Sequence, residues 1–600
     1  MSSHEQQGSG PVRPGQSRND HPGNGLHSHA VPALGLAAVA AEGSGFDLFD
    51  TIATLASTVN DMVGPAGWAT LIGTGVAGGA AITGTAYLQR TYFPGQENWT
   101  GTKADRGAPG WDTGMATPSE LKTKLGATIA RKQYERILPH LAGTLKKEPP
   151  TRYARPLVDY GTQRLWAPME ESIAILAPQR RGKSGLMASM LLDAPGAAVM
   201  TGVRTDLYLH THALRERVGP ISFFNPDGLG GLLSTLGWTP VLGCADPMTA
   251  YRRAGDVLLA GVTGGVVNSD FWESNAARVL RAYLHAAALG ERTIHHVADW
   301  ANSPDNGEPL RILQRAQDAA DGWAEDLESL MKSKATATAG SIWTTLQNVL
   351  SFMRNPQVAA AMTPVPGREF DPAAFIRDKG TLYLLGEERS AAQGSVAPLV
   401  TGLMMEIHRV ATQMAQDSPG QRLDPSLLYG LDEVANICPI PLSKWISKSG
   451  ALGITVVAAL QSYGQLVERW GQDAATTIWD NATIKLIFGG FSDPGFLRRV
   501  SEMCGQTDVP TMVAVASGSQ HGQRREVGTP RRVDRIPPEQ IREIPDWKAL
   551  LVHGNTRPVV GRVQPVWKRR DYKAFKRAQK KTGTAPAPAP VPAVETEAAE

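Results

Sequence analysis

The amino-acid sequence predicts an α/β fold in which helices cover both faces of a parallel sheet. Seven short apolar runs, rich in Val, Ile and Leu, alternate with segments of helical periodicity, which is typical of parallel sheets. The runs are ESIAILA, GAAVMTG, ISFFNP, GTLYLLG, SLLYGLDE, GITVVAAL and ATIKLIFGG. Between about residues 246 and 364 the apolar residues keep helical spacing only, which predicts an all-helical domain inserted into the α/β domain.

The length, net charge and cysteine content limit the kinds of protein that this chain can be. A chain of 600 residues is too long for one ordinary core and predicts two or three domains. The formal net charge is only +3, so affinity for nucleic acid would have to come from local basic patches. The three cysteines, Cys244, Cys438 and Cys504, lack zinc-site spacing. Their odd number argues against a disulfide framework and for a reducing compartment.

An uncharged run near the N-terminus, Met62–Gln89, is long enough for a transmembrane helix. The run is mostly Gly, Ala and Thr, so a buried glycine-rich helix or loop is the alternative. Aspartates precede the run, and arginines and lysines follow it. This asymmetry predicts a single-pass protein of the inner (plasma) membrane with a cytoplasmic C-terminal part. We expect residues 1–61 to form a disordered, extracytoplasmic segment.

The strongest local motif is APQRRGKS, residues 177–184, which follows an apolar run and precedes a helical pattern. In a phosphate-binding loop, backbone N–H groups and a helix N-terminus hold the phosphates of a nucleotide. Lys183 would contact the terminal phosphates, and Ser184 would ligate Mg²⁺. Ala177 stands where the usual motif has its first glycine, so a chance GKS in a basic turn is the alternative. The residues assigned to nucleotide binding are Ala177, Pro178, Gln179, Arg180, Arg181, Gly182, Lys183, Ser184 and Gly185.

A second motif ends the apolar run SLLYGL with Asp432 and Glu433. At the carboxyl edge of a parallel sheet, Asp432 would hold Mg²⁺ and Glu433 would polarise the attacking water as general base. Gln461, at the end of the next run, is a candidate sensor of the γ-phosphate. For Asp432 and Glu433 the alternative is an exposed acidic turn after a core strand. For the segment Gln461-Ser462 the alternative is a helix N-cap at Ser462. The two motifs together predict an enzyme that hydrolyses ATP with Mg²⁺, with Lys183, Asp432, Glu433 and Gln461 as catalytic residues.

These motifs set the predicted domain boundaries. The nucleotide-binding domain comprises residues 166–245 and 365–567, and the helical domain, residues 246–364, is inserted between them. A polar connector, residues 90–165, precedes the nucleotide-binding domain. A basic segment and a disordered Pro- and Ala-rich tail, together residues 568–600, follow it.

Several segments resemble the type IV secretion coupling proteins, the TraG/TraD class of conjugative DNA-transfer ATPases. The resemblance covers roughly residues 170–565. It rests on LDEVANICPIPLSKWISKSGALGITVVAALQSYGQLVERWG, VRTDLYLHTHALRERVGPISFFNP, FWESNAARVLRAYLHAA and ATIKLIFGGFSDPGFLRRVSEMCGQ. It implies RecA-like domains that form a homo-hexameric ring on the cytoplasmic face of the membrane. Such a ring recruits a relaxosome or relaxase–DNA complex, or a protein substrate, and drives it into a type IV secretion channel.

The chain departs from the family pattern at several positions. Gly450 and Leu452 stand where the family usually has arginines that act across the subunit interface, and nearby Lys448 cannot reproduce a guanidinium fork. Gly202 and Arg204 stand where Asp and Lys are usual. Two alternative functions stay open. One is an FtsK-like septal DNA translocase, against which the helical insertion argues, and the other is a docking receptor that hydrolyses little ATP.

Basic residues that could contact a DNA backbone are concentrated near the C-terminus. The candidates are the run Lys568–Lys581 and the arginines Arg524, Arg525, Arg531, Arg532 and Arg535. Aromatic residues interleave the run and could stack on single-stranded bases, namely Trp567, Tyr572 and Phe575. The alternative is a solvated charged surface followed by a basic linker.

Overall fold

A computed structural model of the chain describes residues 114–261, 269–332, 336–362, 369–389, 394–513 and 527–582. The expected membrane anchor, Met62–Gln89, and the arginines Arg524 and Arg525 lie outside these residues, as does the tail beyond residue 582. Among the helices of the described part, none is both long and apolar enough to cross a membrane.

An eleven-stranded sheet forms the centre of the described chain, in the order β2-β1-β13-β12-β9-β3-β8-β7-β4-β6-β5, and β10 and β11 pair separately. The strands are β1 (Ala154–Tyr160), β2 (Gln163–Pro168), β3 (Ile173–Leu176), β4 (Ala198–Gly202), β5 (Ile221–Phe224), β6 (Thr381–Leu385), β7 (Leu427–Asp432), β8 (Ile454–Leu460), β9 (Ile484–Phe488), β10 (Gln506–Val513), β11 (Val527–Asp534), β12 (Lys548–His553) and β13 (Thr556–Arg562). The strands from β9 to β5 in the sheet order are parallel. Each lies within one of the seven apolar runs, so the predicted α/β fold with a parallel sheet is confirmed.

Both faces of the parallel strands are buried. In β3, Ile173 and Ile175 belong to one apolar cluster, whereas Ala174 and Leu176 belong to another. Successive side chains of a strand point to opposite faces of its sheet, so each face needs its own cover of helices. This double burial is why the strands appear in the sequence as unbroken apolar runs.

Helices connect the strands and cover the sheet. Those of the α/β part are α1 (Pro118–Lys124), α2 (Ala127–Ile137), α3 (Lys183–Leu192), α4 (Asp206–Arg215), α12 (Pro372–Arg377), α13 (Ala397–Gln416), α14 (Val434–Ile437), α15 (Leu442–Lys448), α16 (Tyr463–Asn481), α17 (Pro494–Cys504), α18 (Pro538–Arg542) and α19 (Arg570–Thr582). Those of the inserted segment, residues 247–361, are α5 (Pro247–Gly261), α6 (Ser269–Leu289), α7 (Ile294–Asn302), α8 (Glu308–Arg315), α9 (Trp323–Met331), α10 (Thr336–Val349) and α11 (Pro356–Ala361).

The segment from α5 to α11 forms a helical body, and its described residues contain no strand. Tyr283 on α6 and Trp300 on α7 meet edge to face in its core, with ring centroids 5.6 Å apart. The body is attached to the sheet through α13, where Glu406 accepts a hydrogen bond from Arg253 at 2.5 Å. The arginine side chain is almost fully buried, so this ion pair is shielded from the salt that screens surface pairs.

Four strands extend the sheet in an antiparallel manner beyond β9, namely β12, β13, β1 and β2. These four strands are not predicted by the sequence, and β1 and the start of β2 fall within the expected connector, residues 90–165. In β1, Arg155, Pro156 and Asp159 interrupt the apolar pattern, and such residues are poor strand formers in isolation. Arg155 is nevertheless fully buried. Pairing with β13 and β2 therefore makes this segment a strand, although its local sequence does not favour one.

Most of the predicted basic segment forms the helix α19, which is docked on α4. The hydroxyl of Tyr572 lies 2.7 Å from Nδ1 of His210, and the ring of Phe575 lies 5.8 Å from the guanidinium carbon of Arg217. Residues three apart share one face of a helix, so Tyr572 and Phe575 form the anchoring face. Just before the helix, Arg569 forms an ion pair with Asp193 at 2.6 Å.

Candidate functional site

The loop of residues 177–182 joins β3 to α3 and turns sharply before the helix. Gly182 has φ of 97° and Arg180 has φ of 63°, both in the left-handed region. Glycine is needed at position 182 for a second reason, because a Cβ there would lie 2.5 Å from Cζ3 of Trp547. The helix begins at Lys183, so the unpaired N–H groups of its first turn lie at the end of the loop. This is the arrangement of a phosphate-binding loop.

Three of the predicted catalytic residues meet in a buried cluster. Lys183 Nζ lies 2.6 Å from Oε1 of Glu433 and 3.0 Å from Oδ1 of Asp432. Burial acts to lower the pKa of Lys183, but the two carboxylates outweigh it and raise that pKa above its ordinary value. Burial also raises the pKa of the Asp432 carboxyl. Lys183 is therefore a cation at neutral pH, held among groups that have little access to water.

Ser184 and Asp432 provide oxygen ligands of the kind that Mg²⁺ prefers. Ser184 Oγ donates a hydrogen bond to Asp432 Oδ2 at 3.3 Å. The hydroxyl of Thr201, on β4, donates to the backbone oxygen of Asp432 at 2.7 Å and fixes the end of β7. The described residues contain no metal-binding group of three or more His, Cys, Asp or Glu side chains. The hydroxyl of Ser184 and the carboxylate of Asp432 would suit a magnesium ion whose remaining ligands are oxygens of phosphate and water.

Gln461 connects Glu433 to the phosphate-binding loop. Its Nε2 donates to Glu433 Oε1 at 2.8 Å, and its Oε1 accepts from Gln179 Nε2 at 3.4 Å. Glu433 has φ of 53°, a conformation that costs a residue other than glycine about 1–3 kcal/mol and is concentrated at functional sites. Glu433 thus combines a strained backbone with a carboxylate held by an amide that also contacts the loop, so a change in the loop can reach it.

A cavity of about 540 Å³ lies over the loop. The predicted residues that line it are Pro178, Gln179, Arg180, Gly182, Lys183, Ser184, Gly185, Glu433 and Gln461. Two tryptophans that the sequence analysis did not assign to this site, Trp547 and Trp567, line it as well. No local pattern could have indicated them, because they follow the loop by more than 350 residues in the chain.

Two of the residues assigned to nucleotide binding do not line the cavity. Ala177 is fully buried, its side chain lies in an apolar cluster, and its N–H donates to the backbone oxygen of Leu460 at 3.1 Å. The methyl group of Ala177 thus has a place in the core, which explains why this loop accommodates alanine in place of the usual first glycine. The guanidinium of Arg181 forms an ion pair with Asp546 at 2.6 Å.

Packing explains one departure from the family pattern. A Cβ at Gly450 would lie 2.0 Å from the backbone oxygen of Glu170, so an arginine cannot be accommodated there without moving the backbone. Lys448 is exposed on α15. Arg204 is also exposed and pairs with Asp206 at 2.9 Å.

The basic residues considered for DNA contact differ in exposure. Arg531 and Arg532 are exposed on β11, whereas Arg535 is partly buried and donates to the backbone oxygen of Cys504 at 3.3 Å. Tyr572 is buried in the docking face of α19, so the expectation that it stacks on single-stranded bases is wrong. The outward side of α19 carries exposed cations, namely Arg570, Lys573, Arg577, Lys580 and Lys581.

Part of this sequence is similar to proteins of conjugal transfer. Residues 426–546 match the family described as the TraM recognition site of TraD and TraG. The conjugal transfer protein TraG of Rhizobium radiobacter is 30% identical over 147 residues, which are 24% of this chain and 23% of that protein. The TraG protein of Agrobacterium fabrum (strain C58) is 29% identical over 147 residues, 24% of this chain and 22% of that protein. The resemblance to the type IV secretion coupling proteins is confirmed. The matched region spans less than a quarter of the length of these TraG proteins.

The fold is similar to that of the coupling protein TrwB. TrwB in complex with a non-hydrolysable ATP analogue is 17% identical, with a TM-score of 0.53 over 76% of this chain and 96% of the TrwB chain. An unbound form of TrwBdeltaN70, described as a bacterial conjugative coupling protein, is 17% identical, with a TM-score of 0.51 over 68% of this chain and 88% of that chain. At this identity the likeness concerns the α/β fold with its large, mostly parallel sheet.

Proposed function

We propose that the chain is a membrane-anchored ATPase that recruits a DNA or nucleoprotein substrate and drives it through a type IV secretion channel. The observation that carries the proposal is the contact of Lys183 with Asp432 and Glu433. A chance GKS sequence in a basic turn would have no reason to meet the acidic pair at the end of β7. An exposed acidic turn, the alternative for that pair, does not agree with side chains that are only 9% exposed.

The positions of these residues support a separate role for each of them in ATP hydrolysis. The loop N–H groups and Lys183 bind the terminal phosphates, and Lys183 exchanges its carboxylate partners for phosphate oxygens. Glu433, released from Lys183, accepts a proton from the attacking water while Gln461 orients its carboxylate. Ser184 and Asp432 would hold Mg²⁺, which would supply positive charge against the phosphates. Once Glu433 has passed this proton to the departing phosphate or to water and the γ-phosphate has left, Lys183 and Glu433 can pair again, and Gln461, at the end of β8, loses or regains its contact with Glu433 as this happens.

The partners and assembly of the chain are part of the same proposal. The match of residues 426–546 to a TraM recognition site supports a relaxosome protein as one partner. The similarity to coupling proteins supports a homo-hexamer that contacts components of the secretion channel. Exposed cations on α19 supply a surface for a phosphate backbone, which is the feature of DNA that any sequence shares.

Replacing Lys573, Arg577, Lys580 and Lys581 by glutamine should weaken DNA binding about equally for all sequences. Each phosphate contact that is lost should lower the salt dependence of binding by about one unit of logarithmic slope. The measurement is the affinity of the full-length chain for two unrelated duplexes across a salt series, together with the stimulation of ATP hydrolysis by DNA. A matched control replaces four exposed lysines on and after α1 and α2, namely Lys122, Lys132, Lys146 and Lys147. Equal effects of the two sets would contradict a binding role for α19.

A second prediction concerns the anchor. If Met62–Gln89 crosses the membrane, the full-length chain should sediment with membranes and resist extraction by carbonate or high salt, because removing an apolar span from lipid is costly. Deletion of residues 1–95 should move the protein to the soluble fraction. Protease added outside spheroplasts should leave the C-terminal part intact. A full-length chain found in the soluble fraction would rule the anchor out.

A further inference from the structure

Two tryptophans form one wall of the cavity over the phosphate-binding loop. The rings of Trp547 and Trp567 meet edge to face, with centroids 5.2 Å apart and planes at 88°. Trp567 is 40% exposed, although an indole that large gains from full burial. An exposed ring braced by a second ring, at the edge of a cavity, is an arrangement that accepts a flat apolar ligand.

The two indoles flank the residues that bind phosphate. A Cβ on Gly182 would lie 2.5 Å from Trp547, and a Cβ on Gly185 would lie 2.9 Å from Cη2 of Trp567. These glycines immediately precede Lys183 and follow Ser184. A nucleotide whose terminal phosphates lie at Lys183 therefore has its ribose and base within reach of the tryptophan wall.

The tryptophan wall is attached to α3, the helix whose N-terminus lies at the phosphate-binding loop. Arg569 pairs with Asp193 at the end of α3, and Ser189 donates from the middle of α3 to the backbone oxygen of Gln564 at 2.8 Å. These contacts on both sides of Trp567 fix its position relative to the loop. A ring held rigidly before the ligand arrives loses less entropy on binding.

The second tryptophan adopts a costly backbone conformation. Trp547 has φ of 62°, which is a genuine outlier for a bulky side chain. Its carbonyl accepts a hydrogen bond from the N–H of Val563 at 2.8 Å, and its neighbour Asp546 pairs with Arg181 of the loop. Strain of this kind persists where the surrounding structure enforces it, and it is concentrated at ligand sites.

We propose that Trp567, braced by Trp547, stacks on the base of the nucleotide and makes the site selective for purine nucleoside triphosphates. This inference rests on the proposed ATPase function. Stacking depends on ring overlap and not on the hydrogen-bonding edge of the base, so adenine and guanine are both accepted. A pyrimidine ring offers less overlap and binds more weakly.

The test compares two ligands that share the phosphates and differ in the base. Calorimetry on the full-length protein measures the affinity for MgATP and for magnesium tripolyphosphate, which has no base. Trp567→Ala should weaken MgATP binding about tenfold to a hundredfold and leave tripolyphosphate binding unchanged. Trp567→Phe should retain most of the affinity. Tyr251→Ala is the matched control, because Tyr251 is an exposed aromatic residue on α5, outside the cavity.

The outcomes separate this inference from the proposed function. Lys183→Ala should weaken the binding of both ligands, and a wild-type protein that binds neither ligand would overturn the proposed function and this inference together. Equal weakening of both ligands by Trp567→Ala would show that the ring only supports the loop and would overturn the stacking role. Unchanged MgATP affinity in Trp567→Ala, or equal affinity of the wild type for CTP and ATP, would overturn it as well.

Discussion

Lys183→Ala is expected to lower the rate of ATP hydrolysis by the full-length chain at least about a hundredfold. The ammonium group of Lys183 is the cation at the end of the loop, and a preorganised charge in a water-poor site contributes on that scale to transition-state stabilisation. Solvent cannot replace it, because its side chain is only 10% exposed. The measurement is phosphate release in the presence of Mg²⁺, with and without DNA.

Two controls accompany this variant. Lys332→Ala removes an exposed lysine that pairs with Glu328 on the helical body, and it should hydrolyse ATP at the wild-type rate. In Lys183→Ala one of the two neighbouring carboxylates can take up a proton, so circular dichroism should still show a folded chain. Wild-type phosphate release from a folded Lys183→Ala variant would refute the assignment of the loop.

Glu433→Gln is expected to bind ATP and to hydrolyse it roughly a hundredfold to ten-thousandfold more slowly, which is the usual range for loss of a general base. The amide has the shape of the carboxylate and can keep a hydrogen bond with Gln461, but it cannot accept the proton of the attacking water. Loss of the Lys183–Glu433 ion pair also frees Lys183 for phosphate, so ATP affinity should not fall. Calorimetry and single-turnover hydrolysis measure the two effects separately.

The control for this variant is Glu388→Gln. Glu388 lines the same cavity but is exposed, so the same chemical change there should leave turnover close to that of the wild type. If Glu433→Gln lost ATP binding and not turnover, Glu433 would be a binding residue and another group would have to be the base.

Much of the candidate site could be predicted from the sequence because its residues occur in short motifs. The loop of residues 177–184 and the pair Asp432-Glu433 each follow an apolar run. The carboxyl ends of parallel strands lie along one edge of the sheet, so groups at the ends of β3, β7 and β8 were expected to converge. The structure brings Lys183 and Gln461 within hydrogen-bonding distance of the Glu433 carboxylate in this manner.

Other parts of the chain have sequences whose local pattern does not agree with their place in the fold. The buried Arg155 in β1 resembles a surface residue, and α19 resembles a mobile basic tail because its anchoring face consists of Tyr572 and Phe575 alone among many cations. In both cases the element is held by a distant part of the chain, β13 for β1 and α4 for α19, where local propensity does not favour it.

The sequence by itself determined the seven parallel strands and the residues of the phosphate and acidic motifs, because double burial and loop chemistry leave patterns within a few consecutive residues. Only the tertiary structure decided the four antiparallel strands of the sheet, the core position of Ala177 and the presence of Trp547 and Trp567 beside the loop. Strands β1 and β2, and β12 and β13, pair between adjacent segments, whereas the contacts that join these pairs to each other and place Ala177 and the tryptophans connect residues far apart in the chain. Such contacts leave no periodicity in a single sequence, since each partner satisfies the other only after the chain has folded.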